Sequence, residues 1–396
     1  MALPDFTSNA STSSPGVHDA GAQSAAVGSA VGADNRALAA RVLQFLEARR
    51  RSRTGELPAF ACHADGRESE LFGLLDHAAG RYIVGAAAPN ADDPDVDDAG
   101  AWAALADAVI AAQAEDGWFR SGDAQGHHPL HVTAYALGVL ALAERRGART
   151  PFARLRPISG FPEMAYAALL GPEALSLLDR IHFWRGSHKA GGTAAIVGQC
   201  HQAGAAANLL GIDDADAWLA TWAECWDRAA GADGLWRFGS PLRELFYIPY
   251  SWRRHREAYA VIGGAAHIYW IHHRLGRNVG APSAMADYIL AHAGDRAICE
   301  DTPYCLDFDR LCLLEQALPH LGDGAQAQAV RDLIQRSSAA IRAYCLGQPP
   351  SAWFASSHRL PGALAAIAVG ERVAAIEARR APDPPLRDLL ATAWWL

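Results

Sequence analysis

Gln113-Ala114-Glu115-Asp116-Gly117-Trp118-Phe119 lies between two apolar stretches and recurs twice in altered form, as Ala232-Asp233-Gly234-Leu235-Trp236 and as Gln348-Pro349-Pro350-Ser351-Ala352-Trp353-Phe354. Gln and Trp stand five residues apart in the first and third copies, and Asp-Gly precedes the Trp in the first and second. Each copy follows a segment with helical apolar spacing and precedes a segment rich in small residues. Repetition at a long period signals an array of similar supersecondary units. The unit here is a helical hairpin, and the array is expected to close into a ring.

Outward from the first copy, Trp102–Gln113 reads as a helix before the turn and His131–Arg145 as a helix after it. The same pairing extends in both directions. Asn35–Arg51 pairs with Glu68–His77, Pro162–Leu178 with Ala190–Ala203, and Asp214–Ala229 with Arg256–Arg274. Ser283–His292 then pairs with Leu306–Leu318, and Ala325–Leu346 with Leu360–Ala378. Six pairs result, with almost no period-two alternation, so strands should be short or absent. The first member of each pair tends to be amphipathic. The second is Ala/Gly-rich and apolar on most sides, as a helix packed all round requires. The predicted fold is all-α, a single (α/α)6 domain over residues 35–396. Residues 1–34 are rich in Ser, Ala and Gly with few large apolar side chains, so they are expected to form a disordered tail.

Composition narrows the function. A net charge of −8 argues against a nucleic-acid partner, which needs a basic face. No run approaches the ~20 apolar residues of a membrane span. The N-terminus lacks the charged start and apolar core of a Sec signal. The seven Cys are an odd count without CxxC spacing, which suits buried thiols in a reducing, cytoplasmic setting.

The paired helices and the Gln-x-x-Asp-Gly-Trp segment resemble the α/α-toroid superfamily. That group includes six-hairpin glycosidases, polysaccharide lyases, sugar epimerases, and the terpenoid-cyclase and prenyltransferase-like toroids. The segment at Gln113 is similar to the repeat motif of the cyclase branch. The resemblance spans about residues 35–380 and implies an active site at one rim and in the central cavity. There the N-termini of the second helices converge, with their unpaired N–H groups and positive dipole ends.

The residues just before each second helix are unusually polar and aromatic. They run Asp65 and Glu68; then His127, His128 and His131; then Trp184, Arg185, Ser187, His188 and Lys189. Tyr250, Trp252, Arg253, Arg254 and His255 follow, then Glu300, Asp301, Tyr304, Asp307 and Asp309, and last Trp353, Ser356, Ser357, His358 and Arg359. Asp301, Asp307 and Asp309 are the carboxyl candidates for acid–base work, one raised and one ordinary carboxyl suiting glycosidic chemistry. Asp307 equally suits an N-cap. His188 is a candidate base, and Gly191-Gly192 beside it permits close helix approach. Trp118, Trp184, Trp252, Tyr304 and Trp353 offer stacking faces. Arg185, Arg253, Arg254 and Arg359 offer bidentate forks for an acidic sugar, and His128, His131 and His358 offer hydrogen bonds. His127, His128 and His131 lack the spacing of a metal triad, so neither a metal nor any other cofactor is expected.

Asp95-Val96-Asp97-Asp98 matches the Asp-x-Asp-Asp motif of proton-initiated terpenoid cyclases. It falls in an acidic stretch before a predicted helix, where capping accounts for it. The charged rim speaks against a carbocation cavity. The expected function is therefore a carbohydrate-active enzyme (hydrolase, lyase or epimerase) acting on a small-molecule or oligosaccharide substrate. The competing readings are a terpenoid cyclase and a non-catalytic toroid that displays its rim to a partner.

Overall fold

The computed structural model describes residues 17–51, 56–63, 70–88, 98–121, 128–238, 257–294, 296–379 and 382–396. Among these the chain is helical, without a strand; only two isolated bridges, Arg50 to Phe60 and His63 to Ser356, have β geometry. Among the described residues fourteen α-helices follow one another: α1 (Val17–Glu47), α2 (Glu70–Val84), α3 (Ala99–Ala111), α4 (Pro129–Arg145), α5 (Phe161–Ala168), α6 (Leu177–Ile181) and α7 (Phe183–Gln202). Then come α8 (Ala206–Leu210), α9 (Ala215–Ala229), α10 (Glu257–Arg274), α11 (Pro282–Ala293), α12 (Cys305–Ala317), α13 (Ala325–Gly347) and α14 (Leu360–Ala378). Among the described residues no helix is long and apolar enough to cross a membrane.

Local sequence explains the ends. Asp98 caps α3 by accepting from the Gly100 amide, and Asp214 caps α9 from the Ala217 amide at 2.9 Å. Pro129 opens α4 behind the His128 cap. Burial separates two kinds of helix. On α9 the buried residues Trp218, Leu219, Trp222, Ala223 and Trp226 form one stripe. On α4 every residue from Leu130 to Ala143 is buried, as is every residue from Leu360 to Glu371 on α14. The more deeply buried helices pack as neighbours in the order α2, α4, α7, α10, α12, α14, and α14 packs in turn against α2. The striped helices lie against them: α1 on α2, α3 on α4, α9 on α7, α11 on α12, and α13 on α14.

The Asp-Gly turns are built alike. In the first, the Ala114 amide donates to the Trp118 carbonyl and the Gly117 amide to the Ala114 carbonyl; in the second, Gly231 and Leu235, then Gly234 and Gly231, repeat both bonds. Trp118 therefore corresponds to Leu235 and Phe119 to Trp236, one position away from the Trp-to-Trp match seen in sequence. Arg120 pairs with Asp116 and Arg237 with Asp233, each at i,i+4. The shared unit is thus Asp-Gly, two apolar residues, Arg. Gly117 (φ +84°) and Gly234 (φ +72°) adopt the left-handed conformation, and a Cβ on either would lie 2.1 or 2.0 Å from a carbonyl oxygen, of Pro157 or Gly280. Gln113 locks the first turn, donating to the Gly117 carbonyl at 2.8 Å and accepting from the Arg156 amide at 2.8 Å.

Three expectations need correction. The first helix begins at Val17, so residues 17–34, read as tail, belong to α1, and Asn35 is buried with its amide on the Pro384 carbonyl. The first member of the third pair is broken into α5, a 3-10 turn at Gly171–Ala174, and α6. Its partner α7 starts at Phe183, capped by His182, so Trp184–Lys189 form helical turns rather than a loop. The last segment, Leu386–Leu396, is drawn into the core. Trp395 is fully buried, and its ring fills the space beside Gly191, where a Cβ would come within 2.8 Å of it.

Candidate functional site

A cavity of about 830 Å3 opens where the first turns of α4, α7, α12 and α14 meet. It contains His128, His131, Trp184, Arg185, His188, Tyr304, His358 and Arg359, which sequence reasoning assigned to one site. It also contains His63, Tyr135, His182, His267, Trp270 and Glu300.

Its best-organised group is His358. Asp76, fully buried in α2, accepts from His358 Nδ1 at 3.1 Å, from Ser357 Oγ at 2.7 Å and from Tyr135 Oη at 3.1 Å. The carboxylate fixes the imidazole proton on Nδ1, so the ring lone pair is on Nε2. Backbone contacts hold the geometry. The Ser357 amide donates to the Cys62 carbonyl at 2.8 Å, and Arg49 spans the Cys62 and Phe354 carbonyls. The segment after α1 is thereby tied to the segment before α14.

The other histidines are differently set. His128 and His182 each accept an amide proton on Nδ1, from Leu130 at 3.2 Å and Arg185 at 3.3 Å, as helix caps. His131 accepts on Nδ1 from the Trp395 indole at 2.8 Å. Indole N–H only donates, so these three rings carry their proton on Nε2. Burial, and then the Lys189 charge, lower the His128 pKa to about 4. His267 has the opposite tautomer. Ser187 Oγ gives its proton to the Trp184 carbonyl at 2.6 Å, so at 2.8 Å it accepts from His267 Nδ1. Burial lowers the His267 pKa to about 3. His131, His188 and His267 form a stack with centroids 4.5 and 4.8 Å apart, closed by Trp395 at 4.7 Å from His267.

Across the cavity Tyr304 caps α12. Its hydroxyl is buried and has no hydrogen-bond partner among the described residues, and burial raises its pKa. The Arg359 guanidinium lies 5.0 Å over the Tyr304 ring, bonds to Thr302 and stands 3.8 Å from Glu300.

The carboxyl candidates do not line this cavity. Asp301 is exposed. Asp307 is a buried cap, accepting from the Cys299 amide at 2.8 Å and the Tyr304 amide at 3.1 Å, as its capping reading allowed. Asp309 is buried one turn further along α12, and neither of its oxygens has a hydrogen-bond partner among the described residues. Trp118 and Trp353 are structural. Trp118 is buried with its indole on the Ser159 carbonyl at 3.0 Å, and Trp353 with its own on the Gln348 carbonyl at 3.0 Å. Trp252, Arg253 and Arg254 lie outside the described residues, as do Asp95–Asp97 of the acidic motif, whereas Asp98 is a helix cap. Among the described residues no group of three or more potential ligands is arranged to hold a metal ion.

Sequence reasoning missed Asp76, Tyr135 and His267 because it searched the loops before the second helices. Their signal was a polar residue inside an otherwise apolar helix: Asp76 follows Leu74-Leu75, and His267 precedes Ile268. Comparison with family models, with curated proteins and with solved structures gave no match to this chain.

Proposed function

We propose that the chain is an (α/α)6 toroid of six helical hairpins that acts on an acidic glycan by β-elimination. The return of α14 onto α2 supports ring closure. The observation that carries the chemistry is His358, its Nδ1 held by buried Asp76, in one cavity with Tyr304 and Arg359. In this reading a uronate carboxylate meets Arg359, which withdraws charge from it and acidifies the carbon-bound proton next to it. His358 Nε2 takes that proton, and Asp76 stabilises the imidazolium. The electron pair forms the new double bond as the neighbouring C–O bond breaks. The Tyr304 hydroxyl gives its proton to the departing oxygen and recovers one from His358 or solvent. Trp184 supplies an apolar face for a sugar ring.

Hydrolysis is the weaker reading. Two-carboxylate glycosidases need a pair of carboxyls about 5–9.5 Å apart, and Glu300 is the one side-chain carboxylate among the described residues that line the cavity. A two-base sugar epimerase has one observation in its favour, the Nε2 lone pair of His267 on another helix. Its pKa of about 3 makes it a poor base near neutrality. A cyclase reading is disfavoured by the polar cavity and by Asp98 acting as a cap.

The test is incubation with a panel of uronate-containing polysaccharides, read by the ultraviolet absorbance of the unsaturated uronate product. Activity on one of them, lost in His358→Gln, is the expected result. Release of reducing ends without the absorbance would replace elimination by hydrolysis.

A further inference from the structure

A second cavity, of about 210 Å3, lies behind α7, where the broken first member of the third pair leaves that helix without a continuous cover. Met164 and Ala168 of α5, Leu175, Leu130 of α4, Ala190 of α7 and Trp226 of α9 make its walls apolar. The polar groups around it are engaged elsewhere. Thr193 donates back to the Lys189 carbonyl at 2.7 Å, and the Lys189 ammonium is held by Asp179 at 2.5 Å. His128 lines this cavity and the large polar one alike, so the two share a wall. The adjoining surface is apolar too. Of the six exposed large hydrophobic residues among those described, Tyr166, Leu170, Leu177 and Leu178 all fall within this short stretch.

We infer that the small cavity is an apolar subsite for a hydrocarbon group carried by the ligand of the large one, which makes the substrate a glycoconjugate with an aliphatic or aryl arm. The inference rests on the glycan reading above for the polar half of that ligand. Size fits: an apolar cavity of ~150 Å3 takes up benzene, so this one holds a phenyl or hexyl group. The shared His128 wall places such a group next to a sugar in the large cavity, and the exposed leucines continue the apolar path outward for a longer chain.

The test compares the methyl and n-hexyl glycosides of a uronic acid by calorimetry on the full chain, with n-hexanol as a probe of the small cavity alone. The hexyl glycoside should bind at least tenfold more tightly than the methyl one. Ala168→Trp should remove that advantage and leave the methyl affinity unchanged. Ala167→Trp, at an exposed position on the same wall, does the same without a risk to folding. Equal affinity for the two glycosides overturns the subsite. If neither glycoside binds, the glycan reading fails, and n-hexanol decides separately: binding that both Trp variants abolish supports the subsite, and no binding overturns it.

Discussion

Replacing Asp309 by Asn should stabilise the protein by an amount that grows with pH. Asp309 is fully buried on α12, and its two oxygens have no hydrogen-bond partner among the described residues. Burial first, then the nearby Asp307 charge, raise its pKa well above the ordinary carboxylate value. In the unfolded chain the group ionises near pH ~3.9. The folded protein therefore holds a proton that the unfolded chain has released. A raised native pKa gives a contribution fully present below the unfolded value and lost as pH rises toward the native one. Each pH unit over which the buried carboxyl stays protonated costs wild type about 1.4 kcal/mol of stability. Asn does not titrate, so the gap between variant and wild type should widen as the pH is raised from 5 to 7. The absolute offset also contains the cost of burying an amide, so the slope is the informative quantity. Urea unfolding of both proteins at pH 5, 6 and 7 measures it, and Asp309→Leu should give the same slope. A gap independent of pH would refute a neutral buried carboxyl. Because Asp309 does not line the cavity, its loss should leave turnover intact.

Asp76→Asn keeps the shape but cannot accept from Tyr135, Ser357 and His358 together, so turnover should fall about 10²–10⁴-fold while ligand affinity measured by calorimetry holds; unchanged turnover would remove the His358 pair from the mechanism. Gly117→Ala and Gly234→Ala should each lower the urea-unfolding free energy by roughly 1–3 kcal/mol through strain at a left-handed turn, with no change in cavity binding. Trp395→Phe removes the indole donor, so the nitrogen-15 spectrum of His131 should shift from a single Nε2–H tautomer to a mixture; an unaltered spectrum would show that something else sets the proton. Burial holds the His77 pKa near 3, the opposite sign to Asp309: its contribution is present above the unfolded histidine value and is lost as pH falls toward 3. His77→Phe should thus reduce the acid-induced loss at pH 5 by about 2 kcal/mol in the same unfolding assay.

The helices were legible because apolar periodicity and small-residue content survive in a single sequence. Their ends were less so. Nothing in Ser, Ala and Gly before Asn35 distinguishes a tail from helix, and the burial of Asn35 against Pro384 is a contact between distant positions. That His188, His358 and Arg359 would line one cavity was legible because polar groups clustered before second helices are conspicuous. Asp76 was not, since only its neighbours Ser357 and His358, brought in from the other end of the chain, give it a role. The carboxylates near Cys299 misled because the first turn of a helix attracts acidic residues whether or not chemistry takes place there. The Asp-Gly turns misled by one position, since Trp is prominent to the eye whereas the backbone aligns on the glycine.

The bond from Asp76 to His358 joins residues 282 positions apart. A chain whose last two helices have come loose would keep much of its helical signal, yet it would have no oriented base. On the proposed mechanism, catalytic competence would thus be a property of the completed molecule and of no fragment of it. Under mild heat or denaturant, activity should disappear with the first opening between the two ends, ahead of the loss of helix. A partly unfolded molecule, with its cavity agape, would then be inert toward whatever it meets.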